Sequence, residues 1–496
     1  MLLLVFITGA WVLWQLLVRC SVDGKGRLRL PPSPSGWVPV LGHLWRLSPT
    51  QPFLTLDKWA KELGDVFTLH FGSEQVIVLS RQRVLREAFV KDGENFSGRP
   101  TLFVHESCWG KGSVISDGPR NAFLRRHLLT LLRARSRGID SVQDMVTEEI
   151  GRMDVYIEGL MREQSLGGNM AELCLEDTVF YVVGNVLTRL VLGRSYPHGS
   201  VEFRETAGWL DDTTRLMEQT KALTFLPWLR LLPGAGRSGY RQMKEQATKV
   251  QSMMRADIQQ RRRTGEYRDL QKNDLTSAFL RQIDEAGENG DLFSEEVLVR
   301  LITEMFFAGI QTECNTFGWA FLFFLFNPDV QQECREHIQE APLLWAEKQR
   351  LPYLEATIAE IQRLANIAPF SMPHRNFRET TLDGYRIPAG STIFMNLYTT
   401  LMDPSVFEHP SQFRPARFLS SSGGLDRAMM AAALPYGLGS RMCMGETIAR
   451  LELFSVIGHL LRRYSFEKVP SETYSLEQRM ELTIHPQKYC IRVRKL

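Results

Sequence analysis

The chain has 496 residues, 44% of them hydrophobic and 23% charged, the make-up of an ordinary globular protein. A formal net charge of only +3 gives no electrostatic footprint for nucleic acid, which excludes that class of partner. Seven cysteines, at 20, 108, 174, 314, 334, 443 and 490, are odd in number and irregularly spaced; they do not form a disulfide framework and suit a reducing compartment.

Residues 1–18 are an uncharged apolar run holding Trp11 and Trp14, at the short end for a bilayer span. Arg19, Lys25, Arg27 and Arg29 follow, so the positive-inside rule sets the body on the cytosolic side. A cleaved signal peptide is the rival reading. It needs a charged leading region and a small-residue cleavage site, and neither is clear. The expectation is an uncleaved anchor in the endoplasmic reticulum, since no Arg-rich amphipathic transit peptide precedes it. Residues 19–43 then read as a basic stop and a proline-rich hinge. Pro31, Pro32, Pro34 and Pro39 predict a stiff, polyproline-like strut between the anchor and a globule at 44–496.

Residues 64–80 read as two short strands around a Gly-Ser turn. Asn95-Phe96-Ser97 fits a glycosylation sequon, which in a cytosolic chain is a chance match. Gly118 opens an apolar, basic helix running to about Arg135. Arg126, Arg133, Arg135 and Arg137 form a positive group there, either a solvated face or a dock for an acidic electron donor. From about 140 to 290 the pattern is mostly helical, with surface turns predicted at Gln259–Gly265 and Glu285–Gly290. Phe225–Pro233 is an apolar segment that fits a membrane contact, a substrate entry or the core equally well.

Ser294 is a good N-cap with Glu295 and Glu296 in the first turn, and the helix it opens must stop at Asn327-Pro328. About thirty residues at 1.5 Å each give a rod of roughly 50 Å. Its second half is apolar nearly all round, as in a helix through a core. Ala308-Gly309-Ile310-Gln311-Thr312 interrupts that surface with a small pair that lets something flat approach the backbone. Further on, Glu360 and Arg363 share a helix face and can pair. Phe413-Arg-Pro-Ala-Arg-Phe418 lies about fifty residues later. Leu482–Pro486 sits between short strands.

Leu434-Pro-Tyr-Gly-Leu-Gly-Ser-Arg-Met-Cys-Met-Gly-Glu446 is the densest motif. Gly437 and Gly439 allow a tight backbone, and Gly445 leaves room beside the sulfur. Cys443 precedes an apolar-periodic helix, whose free N–H groups and dipole favour thiolate. A thiolate in such a loop is a good axial ligand for haem iron. An ordinary buried cysteine is the bland reading.

Tyr436, Gly439, Arg441, Cys443 and Gly445 at these spacings resemble the haem-binding loop of the cytochrome P450 family, with Tyr436 where Phe is usual. The resemblance runs nearly end to end, most like the microsomal animal families that oxidise xenobiotics and steroids. It implies one mainly α catalytic fold, a long central helix over the haem and a small β-rich region, in place of the three domains that length alone suggests. It implies haem b held by Cys443. Arg99, Arg125, His374 and Arg441 would contact its propionates, and Ala308 and Gly309 would lie against the opposite face. Thr312 would be the hydroxyl that relays protons for O–O cleavage. Gln311 stands where the family has an acid, and an amide cannot donate and recover protons as a carboxylate does. Glu313 is about 100° further round the helix and no obvious substitute. Asn121 stands where Trp is usual, which puts one propionate contact in doubt. Glu360, Arg363 and Arg417 would form a buried charge network behind the cofactor. The turns at Pro369–Met372 and Leu482–Pro486 would face substrate.

The expected activity is insertion of one atom of O2 into an apolar small molecule. NADPH would supply electrons through a separate NADPH–haemoprotein reductase, with cytochrome b5 as an accessory donor, because no dinucleotide fingerprint lies within the chain. Two other readings stay open: a haem-thiolate isomerase or dehydratase acting on a lipid peroxide, and a haem sensor without turnover.

Overall fold

The computed structural model describes residues 29–135, 139–164, 168–272, 274–286, 292–339 and 341–496. The expected anchor at 1–18, Arg19, Cys20, Lys25, Arg27, Arg137, most of the turn at 285–290 and the side chains of Arg133 and Arg135 lie outside the described residues. No helix among the described residues is long and apolar enough to cross a membrane.

The fold is mainly α with small β-sheets. The elements that bear on the site are strands β1 (Val66–Phe71) and β2 (Glu74–Leu79), helices α1 (Gly118–Arg135) and α2 (Ile139–Gln164), and strand β3 (Met170–Leu173). Helices α3 (Leu175–Leu192), α4 (Ala235–Thr264), α5 (Glu295–Phe326) and α6 (Pro352–Ala365) follow. Strands β4 (His374–Arg375) and β5 (Thr392–Met395) precede helix α7 (Glu446–Arg463) and strand β6 (Tyr464–Lys468). Strands β7 (Arg479–Met480), β8 (Ile484–His485) and β9 (Ile491–Lys495) end the chain.

The two amino-terminal strands pair as the alternation predicts, Val66 opposite Leu79 and Phe71 opposite Glu74. Gly72 takes φ 63° in their turn, a left-handed value that favours glycine. The sheet order β1-β2-β5-β4 then carries His374 to one edge. There Gly98 and Arg375 exchange backbone hydrogen bonds of 3.0 and 2.8 Å. That bridge sets Arg99 beside His374, although 275 positions separate them in sequence.

The proline strut is a correction. Thr68 donates through its N–H to the Pro32 carbonyl at 2.7 Å and through its hydroxyl to the Pro31 carbonyl at 3.2 Å. His43 lies 3.1 Å from the Pro34 carbonyl. The segment from Pro31 onward is therefore stitched to β1 and does not stand off as a spacer. Proline lacks an N–H but keeps its carbonyl, so a proline run can still accept from a neighbouring strand.

The turn predicted at Gln259–Gly265 is also corrected: α4 runs through Thr264 and ends only at Gly265, with φ 70°. Arginines are good helix formers and favourable near a helix C-terminus. Arg261 is buried, donating to Asp257, Asp274, Ser277 and the Leu192 carbonyl.

Helix α5 is the axis of the core. The Ser294 hydroxyl accepts from the Val297 N–H at 3.3 Å, and Pro328 begins the next helix. Phe317, Trp319, Phe321 and Phe324 are fully buried on it. Each such side chain stabilises the fold by about 1.5–3 kcal/mol, so a helix apolar on every face is held at the centre.

Candidate active site

Cys443 lies in the loop that feeds α7. Its N–H donates to the Tyr436 carbonyl at 3.0 Å, closing the loop on itself. Gly439, at φ 74°, is the glycine this loop cannot do without, because a Cβ there would overlap the Phe89 carbonyl oxygen. Gly445 carries less weight than its place in the motif implies. A Cβ there would sit 3.8 Å from the Cys443 sulfur, an ordinary contact. The Tyr436 hydroxyl accepts from Gln362 at 2.7 Å, so the aromatic position gains a tether that Phe would lack.

The sulfur receives hydrogen bonds from the backbone N–H groups of Gly445 and Glu446 and feels the Arg125 charge, all of which favour thiolate. Burial outweighs them and holds the thiol above its ordinary value. The helix start favours the thiolate, as expected, but does not outweigh burial; a coordinated metal cation displaces such a proton outright. The residue is at once surrounded by protein and exposed at its side chain. A side chain facing internal space has that combination.

Helix α5 offers a matching exposed step. Ala308 is exposed in mid-helix, with Gly309 and Thr312 half-buried beside it, while the residues from Glu313 to Leu325 are buried. Gly309 serves a different neighbour from the one expected. Its absent side chain would point at Leu187 of α3, 3.1 Å away, so the glycine admits a close helix crossing. Ala308 is the small residue that borders the open space. Thr312 donates its hydroxyl proton to the Ala308 carbonyl at 2.6 Å, which leaves its oxygen lone pairs as acceptors.

Three arginines and one histidine singled out in the sequence gather near Cys443. Arg99 donates to the carbonyls of Val114, Met372 and Pro373 at 3.1, 3.0 and 2.8 Å. Arg441 donates to the Ser97 and Ser116 carbonyls at 2.7 and 2.6 Å. Arg125 donates to the Met442 carbonyl. His374 Nδ1 lies 2.9 Å from the Phe96 carbonyl. Burial first, then mutual repulsion, lowers Arg99 to about 9. Burial likewise lowers Arg441 to about 10 and Arg125 below its ordinary value. Burial and the charges of Arg99 and Arg441 push His374 well below its usual range.

Asp117 is the carboxylate in this cluster, 2.9 Å from Arg375 and 3.5 Å from Arg441. Asp117 is shared with the more exposed Arg375, so Arg99, Arg125 and Arg441 together leave a positive excess in this enclosed region. A buried excess of this kind is costly unless an anion answers it. The two carboxylates of a haem have the required charge and reach, and a thiol donor faces the same region, so the donor set fits that cofactor.

Glu360, Arg363 and Arg417 meet in full burial. Arg363 donates both Nε and Nη2 to Glu360 at 2.7 and 2.9 Å, and Arg417 Nε adds a third bond at 3.0 Å. The Arg414 N–H supplies a fourth at 2.9 Å.

Several residues of this region carry no motif. Asn121 donates to the Ser113 carbonyl at 2.6 Å and so pins the loop ahead of α1. Glu304 accepts from the Ser113 N–H and hydroxyl and the Val114 N–H at 2.7, 3.0 and 3.1 Å. An acid within an apolar helix was the legible signal for Glu304. The Asn95 side chain is buried and bonded to Asp92, Phe377 and Arg378, which leaves the sequon no accessible amide.

Glu313 is buried against Glu452 of α7, and the two carboxyls hydrogen-bond each other. Burial and the Glu452 charge raise Glu313 well above its ordinary value, and burial raises Glu452 from 4.5 to about 7. Two carboxylates that close cannot both ionise, so the pair holds a shared proton. A carboxyl raised on folding stabilises fully below its unfolded value and loses that contribution as pH rises through its folded value. Stability is therefore expected to decline from about pH 4.5 through about pH 7. Urea midpoints across that range check this: Glu452→Gln should flatten the decline, and parallel slopes would contradict it.

Comparison with known proteins gives a consistent result. A family model described as cytochrome P450 matches residues 31–493. The chain is similar to cytochrome P450 1A1 of Rattus norvegicus, 30% identical over 502 residues, covering 97% of this chain and 93% of that protein. It is also 30% identical to cytochrome P450 1A1 of Macaca mulatta and of Homo sapiens, over 92% of this chain and 90% of each relative.

Proposed function

The chain belongs to the cytochrome P450 family and is a haem-thiolate monooxygenase, and from that premise we propose that it oxidises an apolar small molecule, a steroid, fatty acid or xenobiotic. Electrons come from NADPH through a separate membrane-bound reductase, with cytochrome b5 as an accessory donor. The bound haem supplies the one-electron and dioxygen chemistry. The rest falls to side chains of this chain.

Cys443 is the iron ligand in this reading. Its sulfur is aimed by the Tyr436 carbonyl bond and by the N–H groups that open α7. The observation that carries the assignment is this enclosed yet accessible sulfur, with the arginine excess beside it. Arg99, Arg125 and Arg441 would hold the propionates through charge-assisted bonds, roughly twice as strong as neutral ones, with His374 as a neutral partner beside them. Tyr436, Gly439 and Gly445 shape the loop. Ala308 would lie against the cofactor, and Gly309, by admitting the close crossing with Leu187, would help place that stretch of α5. Thr312 accepts and passes a proton at its hydroxyl oxygen.

Gln311 is the weak step in proton delivery. The buried Glu313–Glu452 pair does not replace it, because Glu313 points into the α7 contact. Gln311→Glu is expected to raise the fraction of NADPH oxidation that appears as product; unchanged coupling would contradict a limiting role for the missing acid.

The membrane is a second partner. Val40, Leu41 and Trp45 are exposed, and so are Trp228, Leu231 and Leu232. Gly72 lies between these two segments, near Val40 on one side and Phe225 and Leu226 on the other. One apolar surface of this make-up, together with an anchor at 1–18, would seat the catalytic body on the endoplasmic reticulum.

The test is turnover with NADPH and reductase across steroids, fatty acids and aromatic compounds, preceded by substrate-binding difference spectra. Product with reductase supports the reading. Product from a lipid hydroperoxide alone would favour the isomerase reading, to which Gln311 lends some weight. Gas binding without coupled NADPH use would favour a sensor.

A further inference from the structure

Two cysteines with no part in the haem site, 316 positions apart in sequence, meet in space. Strands β3 and β9 pair antiparallel, with Ile491 opposite Leu173 and Arg494 opposite Met170. The same register carried one step further sets Cys490 opposite Cys174. The Lys495 N–H donates to the Asn169 carbonyl at 2.9 Å, which marks that pair as hydrogen-bonded. Alternation along the ladder then makes 490 and 174 a non-hydrogen-bonded pair. In such pairs the Cα atoms lie about 4.5 Å apart and the side chains are at their closest. A disulfide spans Cα separations of about 4.4–6.8 Å. The two sulfurs are 3.3 Å apart, and both residues are half-buried, within reach of a small oxidant.

The position of the pair gives it a consequence. Cys490 ends a segment that lies along α5. Asn315 donates to the Thr483 hydroxyl at 2.8 Å, Trp319 to the Ile484 carbonyl at 3.4 Å, and the Tyr489 hydroxyl to the Gly318 carbonyl. Gly318 permits this approach, since a Cβ there would sit 2.9 Å from Pro486. The contacts begin at Asn315, one turn of α5 beyond Thr312. Cys174 is the residue from which α3 starts.

We propose that Cys174 and Cys490 are a redox pair, closed to a disulfide by hydrogen peroxide and reopened by a dithiol, that clasps the segment Thr483–Cys490 against α5. The Cys490 sulfur attacks one peroxide oxygen; the O–O bond breaks, giving a sulfenic acid and one water. The Cys174 sulfur then attacks the sulfenic sulfur; the S–O bond breaks and hydroxide leaves with the Cys174 proton as a second water. Two thiols lose two electrons and two protons, and the peroxide is reduced to two waters. Burial and the neighbouring sulfur push the Cys174 thiol up to about 12, which keeps it protonated and slow to react with peroxide on its own. A compartment that keeps thiols reduced holds the pair open until peroxide rises.

The full-length holoenzyme is treated with hydrogen peroxide, alkylated, digested without reductant and read by mass spectrometry. The expected product is a linked peptide containing Cys174 and Cys490, removed by dithiothreitol and absent from Cys490→Ser and Cys174→Ala. Amide exchange over Thr483–Ile491 should slow about tenfold in the oxidised wild type and not in either variant. Both cysteines staying alkylatable at peroxide levels that oxidise methionine elsewhere in the chain would overturn the pair. A linked peptide with unchanged exchange would overturn the clasp.

Discussion

Glu360→Ala is expected to cost about 3–5 kcal/mol of folding stability, because it leaves two buried guanidinium groups without a counter-charge. Arg363 is fully buried and gives two of its donors to Glu360, and Arg417 gives a third. Total stability of a folded protein is only about 5–15 kcal/mol, so the loss should show as a large fall in urea midpoint or as failure to accumulate. Glu360→Gln keeps the shape and some of the bonds and should fall between the two. Arg417→Ala should cost less, since Arg363 still neutralises Glu360. A change below about 1 kcal/mol for Glu360→Ala would mean that the network is not what holds α6 to the 413–418 segment.

Cys443→His is expected to reduce reductase-driven product formation to background while leaving a haem-binding pocket. An imidazole keeps a ligand on the iron and removes the electron-rich sulfur that favours O–O cleavage. The arginine cluster and the Gly439 turn are untouched by this substitution, so porphyrin content should survive where activity does not. Activity retained near the wild-type level would remove Cys443 from the chemistry.

Local rules found most elements of the fold. Ser294 and Pro328 bound α5, period-two alternation marked β1 and β2, and the helix at Gly118–Arg135 matched its pattern. The α4 terminus was missed because a run of arginines looks like a surface turn until Asp257 and Asp274 are seen to bury Arg261. The proline segment was misjudged because the donor to its carbonyls, Thr68, belongs to β1, 37 positions beyond Pro31. The site was legible as motif and not as contact. Cys443, Thr312 and Glu360 could be named from their resemblance to the family's motifs, but Asp117, the Glu452 partner of Glu313 and the Cys174–Cys490 approach depend on pairings that no local pattern encodes. Gly309 shows the same limit: its small size was visible, while the neighbour it makes room for, Leu187, was not.

The central claim is that the sulfur of residue 443 is bonded to haem iron. Its most direct test is the absorption spectrum of the purified, reduced protein under carbon monoxide. The account predicts the spectrum of a thiolate-ligated haem in the wild type and its loss in Cys443→His. An imidazole-type spectrum in the wild type, or no bound porphyrin, would contradict it.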